Sequence, residues 1–222
     1  SSYKEGWQSG SLAALTGGIT GVIEVQNSTP YLDNMDALRA KREIVQKSSC
    51  IDYGFYATVT ADNLDALPSL HPHVFGYKVF MGASTGDLAV TDSGALRSVA
   101  ELCCDAGVPM IVHAEDHAVL AHYSDLNPDT SDNNKLRPPE AEISAVEQAI
   151  GLSAATGCST HFFHISTEGA MQRIIVARRN GIDVTCGVCP HHVFFLSSDA
   201  MRDPALFKVY PPLRETEDVE YL

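Results

Sequence analysis

Six short runs rich in β-branched and aromatic residues, separated by segments with helical character, constrain this chain more than any other feature. They cover residues 21–25, 53–59, 74–81, 109–113, 160–165 and 183–188. The segments between them carry helix start and stop signals. Residues 38–46 follow the candidate N-caps Asp33, Asn34 and Asp36, and residues 96–105 follow Thr91, Asp92 and Ser93 and stop at Gly107. Residues 140–156 stop at Gly157, and residues 168–179 start near Ser166 or Thr167 and stop at Gly181. A short side-chain oxygen before a helix satisfies its free N–H groups, and glycine adopts the left-handed turn that ends one. Continuous apolar strands that alternate with helices predict a parallel sheet with covered faces.

Open doubly wound sheets and closed barrels both fit that alternation. No GxGxxG follows the first run, since Gly17-Gly18-Ile19-Thr20-Gly21 leads into it, so a dinucleotide fold has no support. The chemically loaded residues sit at the carboxyl ends of successive runs, where a (β/α)₈ barrel keeps its active site. The expected fold is therefore an α/β (β/α)₈ barrel, holding about strands 2 to 7. Residues 1–222 would form a single catalytic domain, short of its first strand and of the region of its last. The polar segment 124–137, with Asn127-Pro128-Asp129 and Asp132-Asn133-Asn134, is expected to be a surface loop near the barrel mouth.

Composition narrows the function classes. The net charge of −13 opposes a surface for nucleic acid or anionic membrane, because the summed field repels phosphates. It leaves a small anionic substrate open, since a metal ion can dominate the field of a cleft. No stretch approaches the ~20 apolar residues of a membrane span, and the opening Ser1-Ser2-Tyr3-Lys4-Glu5 lacks the apolar run of a secretory signal. The six cysteines (50, 103, 104, 158, 186 and 189) lie in or beside apolar segments, which reads as reduced thiols and a cytoplasmic location. Cys186 and Cys189 have CxxC spacing. Positions three apart on a strand face opposite ways, however, so the pair is a poor joint ligand for one ion. A homo-oligomer is compatible with the sequence.

Three strand ends carry residues suited to metal chemistry: Lys78 in Tyr77-Lys78-Val79-Phe80, His113 in Val112-His113-Ala114, and His164 in Phe163-His164-Ile165. A lysine flanked by large apolar residues is expected to be buried. A buried ammonium is costly unless it is paired or neutral, and a neutral amine can take up carbon dioxide as a carbamate. Imidazoles suit zinc. Each residue also has a structural reading: either histidine could be a satisfied core residue, and Lys78 could pair with Glu24 or Glu115.

The ordered motifs resemble those of dihydroorotases, within the amidohydrolase superfamily that also holds hydantoinases and allantoinases. They run from Tyr3-Lys4-Glu5-Gly6-Trp7 through Gln26-Asn27-Ser28-Thr29-Pro30 and Lys78-Val79-Phe80-Met81-Gly82 to Val112-His113-Ala114-Glu115. Arg137-Pro138-Pro139-Glu140-Ala141-Glu142, His164-Ile165-Ser166-Thr167, Cys189-Pro190-His191-His192 and Pro211-Pro212-Leu213-Arg214 follow. The resemblance implies that Lys78 is carboxylated and bridges two zinc ions, with His113 and His164 on the second ion. It implies that Asn27 binds the substrate's carboxylate, although Asn-Ser-Thr-Pro is also an ordinary turn. His191 and His192 would lie near the mouth, in a site role or simply bonding loops. Tyr210 stands where many dihydroorotases have asparagine.

By the same resemblance, the HxH pair and arginine of the first strand, and the proton-shuttling aspartate of the last, fall outside these residues. No catalytic residue is then expected within the chain, and these residues alone would be inactive. The implied activity is reversible conversion of N-carbamoyl-L-aspartate to dihydroorotate in pyrimidine synthesis, with that small molecule as the partner. A dihydropyrimidinase (hydantoinase) or allantoinase is the enzymatic alternative, and a non-catalytic amidohydrolase-like interaction protein the alternative from another class.

Overall fold

The structure, a computed structural model, describes residues 5–25, 28, 30–84, 88–127 and 132–222. Helix α1 (Trp7–Thr16) precedes β1 (Gly21–Glu24), α2 (Met35–Gln46), β2 (Asp52–Phe55), β3 (Ala57–Thr58), the short α3 (Leu67–Leu70) and β4 (Tyr77–Phe80). Then come α4 (Ser93–Ala106), β5 (Met110–His113), α5 (His117–Leu126), α6 (Asn133–Leu136), α7 (Pro139–Thr156), β6 (Thr160–Phe162), α8 (Glu168–Arg179) and β7 (Val184–Cys186). Three short helices follow: α9 (Pro190–Phe194), α10 (Ser197–Arg202) and α11 (Thr216–Tyr221).

Every expected strand run is present, and the run over 53–59 is broken at Tyr56 into β2 and β3. The caps follow the chemistry of the sequence. Asn34 accepts from the N–H groups of Asp36 and Ala37, Asp92 from Ala95 and Thr167 from Ala170. Gly107 (φ 67°) and Gly157 (φ 78°) end α4 and α7 in the left-handed conformation.

All strand pairs are parallel, β1 with β2 and then β3 through β7 in sequence order. The Phe75 N–H donates to the Phe55 carbonyl (2.9 Å) and the Ala57 N–H to the Gly76 carbonyl (3.0 Å), so β2 and β3 run as one strand along the next. A doubly wound sheet must reverse its strand order at a switch point. This arc never does, which is the topology of a (β/α)₈ barrel wall.

Side-chain parity then sorts two layers. In register across the arc, Ala57, Tyr77, Met110, Thr160 and Val184 share one face, and Thr58, Lys78, Ile111, His161 and Thr185 share the other. The first face, with Val79, Val112 and Phe162, joins Val99, Ala145, Ala149 and Ile174 of the helices in the main hydrophobic core. The second face is the inner one, and it carries the polar groups.

The segment 124–137 departs from expectation. α5 reaches Leu126, α6 spans Asn133–Leu136, and Arg137 is buried rather than on a surface loop. Residues 128–131 lie outside the described ones. Arg137 is drawn inward because a buried carboxylate waits for it, as shown below. Among the described residues, no helix is long and apolar enough to cross a membrane.

Candidate functional site

Strand alternation alone would send Lys78 and His113 inward and His164 outward, because Phe162 faces the helices. His164 reverses this. Its φ of 42° lies in the left-handed region, which side chains with a Cβ enter at a cost. The reversal turns its imidazole inward and puts the next residue, Ile165, into the helix-facing core. His164 Nε2 then lies 3.0 Å from His113 Nδ1.

Lys78 is completely buried on the same face. Its Nζ lies 4.8 Å from the centroid of the Phe80 ring and 4.4 Å from that of Phe163, with no hydrogen-bond partner among the described residues. Both carboxylates that could have paired with it are engaged elsewhere. Glu24 accepts from Lys41 (2.8 Å), and Glu115 holds His113 and Arg137. Burial keeps the Lys78 amine well below the usual lysine range. Burial therefore favours the neutral amine over the ammonium, and the Phe80 and Phe163 rings pack against it.

The histidine pair is braced from behind. His113 Nε2 lies 2.8 Å from Glu115 Oε2, and Arg137 Nε donates to both Glu115 oxygens at 3.1 Å. Arg137 Nη2 donates to Glu115 as well and to the Ala83 carbonyl (2.6 Å). Burial alone would raise the Glu115 carboxyl, but hydrogen bonds from His113 and Arg137 hold it down to about 2. A carboxylate only accepts, so His113 Nε2 carries the hydrogen and Nδ1 presents a lone pair toward His164. Burial, the largest effect on both imidazoles, keeps them neutral. Gly82 permits the close approach of the β4 end, because a Cβ there would lie 2.3 Å from the Glu115 carbonyl oxygen.

A second buried carboxylate continues the network. Arg214 Nη1 donates to the Arg137 carbonyl (2.7 Å), and its Nε donates to Ser166 Oγ (3.0 Å). The Ser166 N–H and hydroxyl both donate to Glu142, at 2.8 and 3.0 Å. Burial pushes the Glu142 carboxyl up to about 7 against the pull of Arg214. Ser166 stands two residues past His164, so this half of the network fixes the turn that aims that imidazole.

The donor set fits an ion. Two imidazole nitrogens on one tetrahedral zinc, at about 2.0–2.1 Å each, stand roughly 3.3 Å apart, close to the 3.0 Å between His113 Nδ1 and His164 Nε2. His164 Nδ1 and Lys78 Nζ are buried without hydrogen-bond partners among the described residues, whereas buried polar groups are ordinarily paired.

No family model matches the chain. It is 33% identical to an allantoinase of Rubrobacter xylanophilus, over 98% of this chain and 50% of that protein. It is 35% identical to a dihydroorotase of Thermococcus kodakarensis, over 96% of this chain and 47% of that one. Among solved structures, an L-hydantoinase (dihydropyrimidinase) from Arthrobacter aurescens superposes with a TM-score of 0.90 at 25% identity, covering 97% of this chain and 49% of that one. Over nearly its whole length the chain is similar to cyclic amide hydrolases of the amidohydrolase group. It spans about half the length of the curated relatives it matches.

Within that group's fold, the structure brings His113 and His164 together and puts Lys78 on the same inner face. Asn27 lies outside the described residues. His192 is buried, and His191 is partly exposed beside it. Tyr210 stacks its ring under the Arg137 guanidinium, 4.1 Å from the centroid. Arg137, Glu142 and Arg214 had no assigned role in the sequence reading, and Glu115 stood only as a partner for Lys78. The one signal for them was a charged residue inside each quoted motif. A cavity of about 400 Å³ lies between α7 and α8, on the outer layer, and holds none of these residues.

Proposed function

We propose that this chain is the central part of a metal-dependent cyclic amide hydrolase of the dihydroorotase kind, acting reversibly between dihydroorotate and N-carbamoyl-L-aspartate. The observation that carries the metal-dependent part is Lys78, fully buried with an unpartnered Nζ beside two converging imidazoles.

Lys78, His113 and His164 are the residues that would hold two zinc ions, Lys78 as the bridge. Bound there, the ions would supply Lewis acidity toward the ring carbonyl and lower the pKa of a water toward neutrality. The chain's own residues prepare this. The neutral Lys78 amine forms a C–N bond to the carbon of carbon dioxide and releases a proton, which gives an anionic carbamate. Glu115, pinned by Arg137, holds the His113 tautomer so that Nδ1 keeps its lone pair. Glu142 and Arg214, through Ser166, hold the His164 turn. Asn27 is proposed to bind the substrate carboxylate, on motif resemblance.

The first relatives named above support a second substrate reading, since an allantoinase matches about as well as a dihydroorotase. A full-length protein carrying this segment should therefore be assayed on dihydroorotate, allantoin and dihydrouracil, with its zinc content measured. Turnover of dihydroorotate is expected. Turnover of allantoin or dihydrouracil instead would move the substrate and keep the reaction class. A zinc-free protein inactive on all three would overturn the proposal in favour of a non-catalytic interaction role.

A further inference from the structure

The segment Cys189-Pro190-His191-His192 takes no part in the centre described above, yet its side chains converge. One potential ligand atom from each of Cys189, His191 and His192 lies within 4.8 Å of the others. The local backbone is set by α9. Cys189 is its N-cap, Pro190 occupies the first turn, and the His192 N–H donates to the Cys189 carbonyl at 2.9 Å.

An independent observation points to a ligand. His192 is 1% exposed, and its Nε2 lies 3.1 Å from the Pro211 carbonyl oxygen. A carbonyl only accepts, so Nε2 carries the hydrogen. In the neutral ring, Nδ1 is then a lone pair, and it is buried with no hydrogen-bond partner among the described residues. A backbone carbonyl that orients one imidazole nitrogen while the other stays free is the usual support of a metal-ligating histidine. The alternative, an imidazolium with an unsatisfied buried N–H, carries a heavy desolvation cost.

We propose that Cys189, His191 and His192 form a separate site for a divalent ion of the zinc type, distinct from the Lys78–His113–His164 centre. One sulfur and two imidazole nitrogens are a donor set that zinc and cobalt(II) accept. Binding displaces the Cys189 Sγ proton to solvent. Three protein ligands leave a tetrahedral ion one position for water or an anionic group, and Cys189 and His191 are partly exposed.

The test is a cobalt(II) titration of a full-length protein carrying this segment, read by the thiolate-to-metal charge-transfer band in the near ultraviolet. The Lys78 centre contains no sulfur, so the band reports this site alone. It is expected in the wild type and in His113→Ala, lost in Cys189→Ser, and shifted to about tenfold or more higher cobalt in His191→Ala. On the unaltered protein, zinc is also expected to slow alkylation of Cys189 by iodoacetamide, mapped by peptide mass spectrometry. No band in the wild type at saturating cobalt, or a band that survives Cys189→Ser, would overturn the proposal. So would loss of the band in His113→Ala, or Cys189 alkylation at one rate with and without zinc.

Discussion

Among the described residues two lysines are buried, and they are treated in opposite ways. Lys41, on α2, donates to Glu24 (2.8 Å) and to Ser28 Oγ (2.7 Å). Lys78, on β4, lies against the Phe80 and Phe163 rings and donates to nothing among the described residues. The first is a buried charge with its counter-charge, a structural device. The second is a buried amine without a counter-charge among the described residues, and a fold that supplied a carboxylate to Lys41 supplied none here. The contrast teaches that burial of a cationic residue is not itself a functional signal. Burial without a partner, on the face that also carries His113 and His164, is one.

Substitution separates the two most sharply. Lys78→Ala in a full-length enzyme is expected to cut kcat/KM by about 10³-fold, the several kcal/mol that loss of a metal bridge removes. In the zinc-free protein its urea unfolding midpoint should hold or rise, because the change there removes an unpartnered buried amine. Lys41→Met should do the reverse and destabilise by about 3 kcal/mol, since the largely covered Glu24 carboxylate loses its counter-charge. A Lys78→Ala protein destabilised as much as Lys41→Met would break the comparison.

The two buried glutamates sharpen it at smaller scale. Glu115 takes Arg137 directly, whereas the hydrogen bonds that join Glu142 to Arg214 run through the Ser166 hydroxyl. Glu115→Gln should weaken zinc binding by about 10–100-fold, read by competition with a chelator, because it frees the His113 tautomer.

Glu142 should show itself in pH dependence. Its folded pKa of about 7 lies above the ordinary 4.5. The folded chain therefore keeps a proton in that window that the unfolded chain has released, and this contribution to stability falls as pH rises through it, by at most about 1.4 kcal/mol per pH unit. Urea unfolding at pH 5 and pH 7 should show the fall in the wild type and a flatter profile in Glu142→Gln. Equal profiles would mean that Arg214 holds Glu142 ionised despite its burial.

Much of the fold was legible because strand composition and helix caps are local. Asn34, Asp92 and Thr167 cap where short polar residues precede apolar periodicity, and the strand runs survive in order. Helix α1 gave little signal. It is rich in Ser, Gly and Ala and leaves Leu12 and Leu15 exposed, so no apolar stripe marks it. The inner position of Lys78 follows from strand parity, but that of His164 does not. Period-two reasoning sends it outward, and only the left-handed backbone at that residue brings it to His113. Arg137 was misplaced on the surface for a related reason. Its partner Glu115 is 22 residues away in sequence, and no spacing rule joins a polar loop to a buried strand end.

The central claim is that Lys78 is an amine poised for carboxylation rather than a structural cation. Its most direct test is ¹³C NMR of a full-length protein carrying this segment, loaded with ¹³C-labelled bicarbonate and zinc. The expected result is a protein carbamate resonance that disappears when zinc is stripped and is absent in Lys78→Ala. A zinc-loaded wild type that shows no carbamate, or a Lys78→Ala protein that keeps the resonance and its full zinc content, would contradict the account.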